Sequence, residues 1–237
     1  MQKTLLILSL SAATFSCLHA DEHGELIFSD DFDRNESQET KDEPGNGWGT
    51  NSKSRAKGNK QVDLKDGAMW VYIHPEADHA VSVTHPAEFT DGAVAMKFML
   101  EDPKDNLGLD FADAEEKSVH AGHLFVVRLK SDNVQIQDMK NGNMKNEIRE
   151  ARLNKTLTKE QSAQVAKLTK NFPAEIETGK WHDLLVQVAG DTITVTVDGK
   201  EAGEFSSDGF AHPTKRMLRL SVPRNAVVDD VRIWRKK

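Results

Sequence analysis

The stretch Thr192–Val197 reads Thr-Ile-Thr-Val-Thr-Val, with a β-branched apolar residue at every second position. Side chains alternate between the two faces of a strand, so this period is that of a half-buried β-strand. Gly190-Asp191 precedes it and Asp198-Gly199 follows it, each pair placed where a two-residue hairpin turn belongs. The same alternation recurs across 181–205 and in residues 68–74, 79–85, 93–100, 107–111, 124–129, 134–137, 217–222 and 227–234. Many short strands separated by Gly, Asp and Asn turns restrict the fold class to all-β, a sandwich or a barrel. One segment breaks the pattern. From about 144 to 173 the spacing turns helical, Thr158 and Gln161 stand as a capping box, and Pro173 closes the run. It predicts one or two helices inserted in a loop. Residues 34–60 are polar and turn-rich, a long loop tied down at Trp48.

The first 20 residues stand apart. They carry one lysine, an apolar stretch over 5–13 and a small-residue end at Ala20, which is the layout of a secretory signal peptide; the apolar part is too short to span a membrane. This predicts an exported chain, periplasmic or extracellular, that starts at Asp21 and forms a single domain over 21–237. A lipid anchor on Cys17 is the alternative, although Thr14, Phe15 and Ser16 lack the leucine usual ahead of such a cysteine. Cleavage at Ala20 removes the sole cysteine, so no disulfide is expected and stability rests on a core. It also leaves 30 basic against 38 acidic side chains. That balance argues against nucleic acid or an anionic membrane surface as a partner. No second apolar run of spanning length follows, so no transmembrane segment is expected.

The motifs FSDDFDR, GNGWG, VDLKDGAMWV, FTDGAVAMKFML, GKWHDLLVQVAGDTITVTVDGK and VVDDVRIW follow one another along the chain. In that order, over about 26–234, the chain resembles the 3-keto-disaccharide hydrolase domain family, secreted relatives of the concanavalin A-like lectins and glucanases. The resemblance implies a concanavalin A-like two-sheet jelly roll with a concave face, and hydrolysis of oxidised disaccharides. The chain departs from the family pattern at two strands. NLGLDFA keeps Asn106 and Gly108 but brings in Asp110, and Ala112 replaces an arginine. VQIQD keeps Ile136 and Asp138 without the glutamate ahead of them. The Glu-x-Asp-x-x-Glu strand of laminarinase-type glucanases is absent, and Glu147 and Glu150 lie at helical spacing. Retaining hydrolysis needs two carboxyls about 5 Å apart, and no strand supplies such a pair locally. There is no G-x-S-x-G elbow, P-loop or cysteine nucleophile either. A non-catalytic glycan-binding or surface-interaction module on the same scaffold therefore stands beside the hydrolase reading.

The candidate residues follow from charge set in apolar strands. Asp110 interrupts LGLDF and Arg128 interrupts LFVVRL; a charge there is costly unless it is paired or faces a wet cleft. If Gly122 opens a strand, His123 lies on it, and alternation points Arg128 to the other face unless a bulge intervenes at or after Gly122. We expect that bulge, with His79, Asp110, His123 and Arg128 lining the concave groove as the catalytic group and His120 at its rim. Asp110 or a histidine would act as general base, with Arg128 holding a sugar oxygen. Trp70 and Tyr72 share one face of their strand and would form a stacking platform for substrate. His212 and Lys215 lie in a loop entering a strand, where binding residues gather. Asp31 and Asp230 sit near the first and last strands, which commonly lie side by side in this superfamily, and offer oxygens for a possible structural calcium. Each has a plainer reading: a turn cap at His120, a half-buried strand residue at His123, an ion pair between Asp110 and Arg128, aromatic packing, a solvated turn fixed by Pro213, and solvated strand-edge charges.

The export reading is checked at the N-terminus. Mass spectrometry of the secreted protein should find Asp21 as the first residue, and an acylated Cys17 would overturn this.

Overall fold

A computed structural model describes residues 23–236; the leader, Cys17 and Asp21 lie outside the described residues. The chain enters through β1 (Glu25–Asp30), the two-residue β2 (Gly49–Thr50) and a one-turn helix α1 (Ser52–Arg55). Then come β3 (Val62–Lys65), β4 (Ala68–Tyr72), β5 (Val81–Phe89), β6 (Gly92–Met99) and β7 (Asn106–Ala112). A single 3-10 turn at His120–Gly122 leads into β8 (His123–Lys130) and β9 (Asn133–Asp138). Helices α2 (Asn146–Leu153) and α3 (Lys159–Lys167) precede β10 (Thr169–Pro173). Strands β11 (His182–Ala189), β12 (Thr192–Val197), β13 (Lys200–Ser206), β14 (Lys215–Val222) and β15 (Asn225–Arg235) complete the fold.

Two antiparallel sheets result. One runs β13-β12-β11-β6-β15-β4-β3 with β1 added on β15; the other, seven-stranded, runs β10-β9-β8-β7-β14-β5-β2. Their inner faces form one apolar core. On the seven-stranded sheet Leu109, Phe111, Phe125, Val127, Leu218 and Leu220 point inward, and the Phe111 and Phe125 rings stack with centroids 4.7 Å apart. No helix among the described residues is long and apolar enough to cross a membrane.

The turn chemistry matches the sequence. Asp198 and Gly199 both take positive φ, as a tight hairpin between β12 and β13 requires. The 34–60 loop is anchored where Trp48 Nε1 donates to Asp30 Oδ2 at 2.8 Å, and Arg34 grips the same carboxylate through both oxygens at 2.6 and 3.0 Å. Burial alone would raise the Asp30 pKa, but Arg34 and the Phe32 and Trp48 N–H groups hold it below the ordinary carboxylate value.

The insertion holds two helices, but it is shorter than expected. Residues 169–173 pair with β9 as an edge strand instead of continuing the helical run. Helix α3 has the capping box formed by Thr158 and Gln161, yet buries none of its residues. Thr158→Ala should therefore weaken the helix by about 1 kcal/mol without touching the core. Hydrogen exchange across 159–167 should speed up roughly fivefold at an unchanged melting temperature.

Candidate functional site

The outer face of the seven-stranded sheet carries two polar rows set by strand register. One row crosses Thr169, Gln137, Val126, Asp110, Arg219 and Thr84. The next crosses Asn171, Gln135, Arg128, Gly108, Ser221 and Ser82. Asp110 is only 4% exposed, and its carboxylate would be costly without donors.

Those donors arrive through a bulge. Phe111 pairs with Phe125, but the next residue, Ala112, pairs with His123, so Leu124 is an extra residue in β8. Leu124 and Phe125 both turn inward, and His123 swings to the outer face shared by Asp110 and Arg128. The backbone ahead of the bulge demands glycine. Gly122 has φ +73°, and a Cβ there would lie 2.3 Å from the Asp113 carbonyl oxygen.

His123 Nδ1 makes a short hydrogen bond to Asp110 Oδ2. The carboxylate accepts, so Nδ1 carries the proton and Nε2 is the ring's acceptor. Arg219 Nη1 lies 3.4 Å from Asp110 Oδ2 and 3.2 Å from His123 Nε2. It also lies 2.8 Å from Nδ1, a contact that the Nδ1 proton makes a mere approach. Asp110 Oδ1 is buried without a partner. Arg128 does not pair with Asp110. Its Nη1 donates to Gln135 Oε1 and Gln137 Oε1, each at 3.1 Å, and burial lowers its pKa while Asp110 opposes the shift. His120 sits at the rim on the 3-10 turn, its ring 6.4 Å from that of His123. Burial, then Arg149, His123 and Arg219, hold its pKa below the ordinary imidazole value.

The other candidates lie elsewhere. His79 is exposed in the turn before β5, beyond the end of that strand far from His123, so it does not join the group. Trp70 and Tyr72 do face one way, with rings 6.0 Å apart and 25° from parallel. Their strand, however, belongs to the other sheet, and Lys65 Nζ covers Trp70 at 4.3 Å from the ring centroid. Platform and cluster thus occupy opposite outer faces.

His212 and Lys215 are buried rather than displayed. His212 Nε2 meets Asp113 Oδ2 at 3.0 Å and its Nδ1 meets Lys140 Nζ at 3.0 Å. Lys215, with 0% exposure, donates from Nζ to the Thr90 carbonyl at 2.6 Å; burial pushes its pKa down to about 8, with Asp91 opposing. Neither is available to a ligand, and the solvated turn fails equally.

Asp31 and Asp230 line one recess beside the β1–β15 pair. Lys97 takes Asp230 Oδ2 at 2.9 Å and Arg232 takes Oδ1 at 3.3 Å. Among the described residues, the side chains grouped closely enough to share an ion are Glu36, Glu39 and Asp63, where the Lys60 ammonium already sits 2.7 Å from Glu36 and 2.5 Å from Asp63. The Glu36, Glu39 and Asp63 group is thus closed by Lys60 as an ion-pair network.

Arg219, Gln135 and Gln137 complete the site and were not among the sequence candidates. Arg219 interrupts the apolar run MLRLSV as Asp110 and Arg128 interrupt theirs, so the same signal was present.

No family model matches the chain, and no curated protein matches it. Solved structures do. SCLam, a non-specific endo-β-1,3(4)-glucanase of family GH16, is 13% identical over 90% of this chain and 91% of its own, with a TM-score of 0.59. The laminarinase from Rhodothermus marinus is 12% identical over 90% and 98%, with a TM-score of 0.57. The carbohydrate-binding module CBM66 from Bacillus subtilis is 12% identical over 78% and 93%, with a TM-score of 0.51. The fold is the concanavalin A-like jelly roll. At these identities the likeness is one of fold alone.

The bulge gives the site a local test. Gly122→Ala should cost about 1–3 kcal/mol in urea unfolding, because φ and space both forbid a Cβ. Gly190→Ala, where φ is +58° but nothing lies within 4 Å of the new Cβ, should cost less.

Proposed function

We propose that the chain is an exported carbohydrate-active protein that hydrolyses a glycoside of the 3-keto-disaccharide type on the outer face of the seven-stranded sheet. The observation that carries the reading is the Asp110–His123–Arg219 cluster, with Arg128 beside it on the same face. An ordinary glycoside needs two carboxyls flanking the bond. A 3-keto sugar does not. Its carbonyl acidifies the neighbouring C2 proton, so one base and a cation near the developing enolate oxygen suffice to expel the leaving sugar, after which water adds. Asp110 orients the imidazole through Nδ1, His123 Nε2 takes the C2 proton and returns it to the departing glycosidic oxygen, and the Arg219 guanidinium stabilises the enolate charge. The jelly-roll neighbours, glucanases and a carbohydrate-binding module by name, support a sugar as ligand.

One observation favours the second reading, a glycan-binding module without catalysis. Arg219 Nη1 stands 2.8 and 3.2 Å from the two ring nitrogens of His123, over the face of the ring, which sets a positive charge against the imidazole that would have to gain a proton as base.

A screen of the purified protein against 3-keto-glucosides and ordinary oligosaccharides, with and without EDTA, separates the two. Turnover of the keto sugar is expected, falling at least about 100-fold in His123→Ala and in Asp110→Asn at a nearly unchanged melting temperature. Binding without turnover would leave the module reading. Loss of folding in both variants with no ligand found would mark the cluster as structural.

A further inference from the structure

We infer that this face takes a carboxylate-bearing sugar, a uronic acid residue, with Arg128 as the anchor of its carboxylate. The inference rests on the proposed function, since it names the substrate class of that same face.

Arg128 is half-buried on β8, yet among the described residues no carboxylate lies within 4.0 Å of it, whereas Arg34 and Arg219 are each met by an aspartate. Its contacts run through Nη1 alone, to Gln135 and Gln137. Nε and Nη2 make no hydrogen bond among the described residues, and neither is fully buried. Nε and one terminal nitrogen form the planar fork that matches a carboxylate through two parallel hydrogen bonds.

The fork is held in place. Gln135 Nε2 donates to Asn171 Oδ1 at 2.9 Å and Gln137 Nε2 donates to Thr169 Oγ1 at 3.0 Å, which turns both amide oxygens toward Arg128. Register then places Gly108 between Arg128 and Ser221.

Charge selects the ligand. Arg128, Lys130 and Arg219 stand on this face with Asp110, whose carboxylate His123 and Arg219 already engage. Arg128 and Lys130 are left with no carboxylate within 4.0 Å among the described residues, on a chain whose formal net charge is −7. A partly desolvated cation needs a counter-charge. The excess favours an anionic sugar, and the planar fork of Arg128 favours a carboxylate, as a uronate carries.

Calorimetric titration of the purified protein tests this. The probes are oligomers of glucuronate, galacturonate and mannuronate, each beside its carboxyl-reduced neutral counterpart, with a sulfated neutral disaccharide as a further anion. At least one uronate should bind about tenfold or more tightly than its reduced counterpart, a difference that weakens with salt. Arg128→Gln should abolish the preference, and Arg128→Lys should retain part of it. The comparison of acid with reduced sugar on the unaltered protein needs no variant to fold. Equal affinity for acid and reduced sugars, a preference for the sulfate ester, or a preference that survives in folded Arg128→Gln would each overturn the inference while leaving the sugar face intact. Failure of every sugar to bind, keto sugars included, would overturn the proposed function and the inference with it.

Discussion

Burying one face of every strand against a second sheet decides what the other face can be. Leu109 and Phe111 must point into the core, so Asp110 between them must point out. A carboxylate that is 4% exposed then needs donors from strands on either side. Arg219 arrives by simple cross-strand pairing. His123 does not, because alternation from Arg128 would send it inward. The extra residue Leu124 is what reconciles an unbroken apolar core with a histidine beside Asp110.

The strands and hairpins were legible because alternation and turn chemistry are local. Ile193, Val195 and the Asp198-Gly199 turn each declare themselves within a few residues. So does the capping box of α3. Strand β10 was not legible. Its sequence TKNFP carries no alternation, and it is a strand only because β9 offers it an edge. Tertiary pairing overrode local preference there.

The site was legible in part, for a related reason. A charge inside an apolar strand is a local signal, and it points to Asp110, Arg128 and equally Arg219. That Arg128 leans on two glutamines while Arg219 meets Asp110 depends on register, which no short stretch encodes. The loop reading of His212 and Lys215 failed on packing. A lysine entering a strand looks exposed until Phe125 and the Thr90 carbonyl are found around its ammonium. His79 failed because its strand begins two residues later than alternation suggests.

The two outer faces differ in how their charges are settled. On the eight-stranded side, Asp230 is met by Lys97 and Arg232, and Asp63 by Lys60, so these two acids find cations of the chain itself. Closed pairs of this kind contribute little and ask for nothing further. On the seven-stranded side, Asp110 keeps a buried oxygen without a partner and Arg128 lies within reach of no carboxylate among the described residues. A fold selected for stability alone would replace such residues with apolar ones or complete their pairing. Leaving both polar rows unbalanced on the same face is the physical reason to propose the function there rather than at the aromatic pair on the opposite sheet.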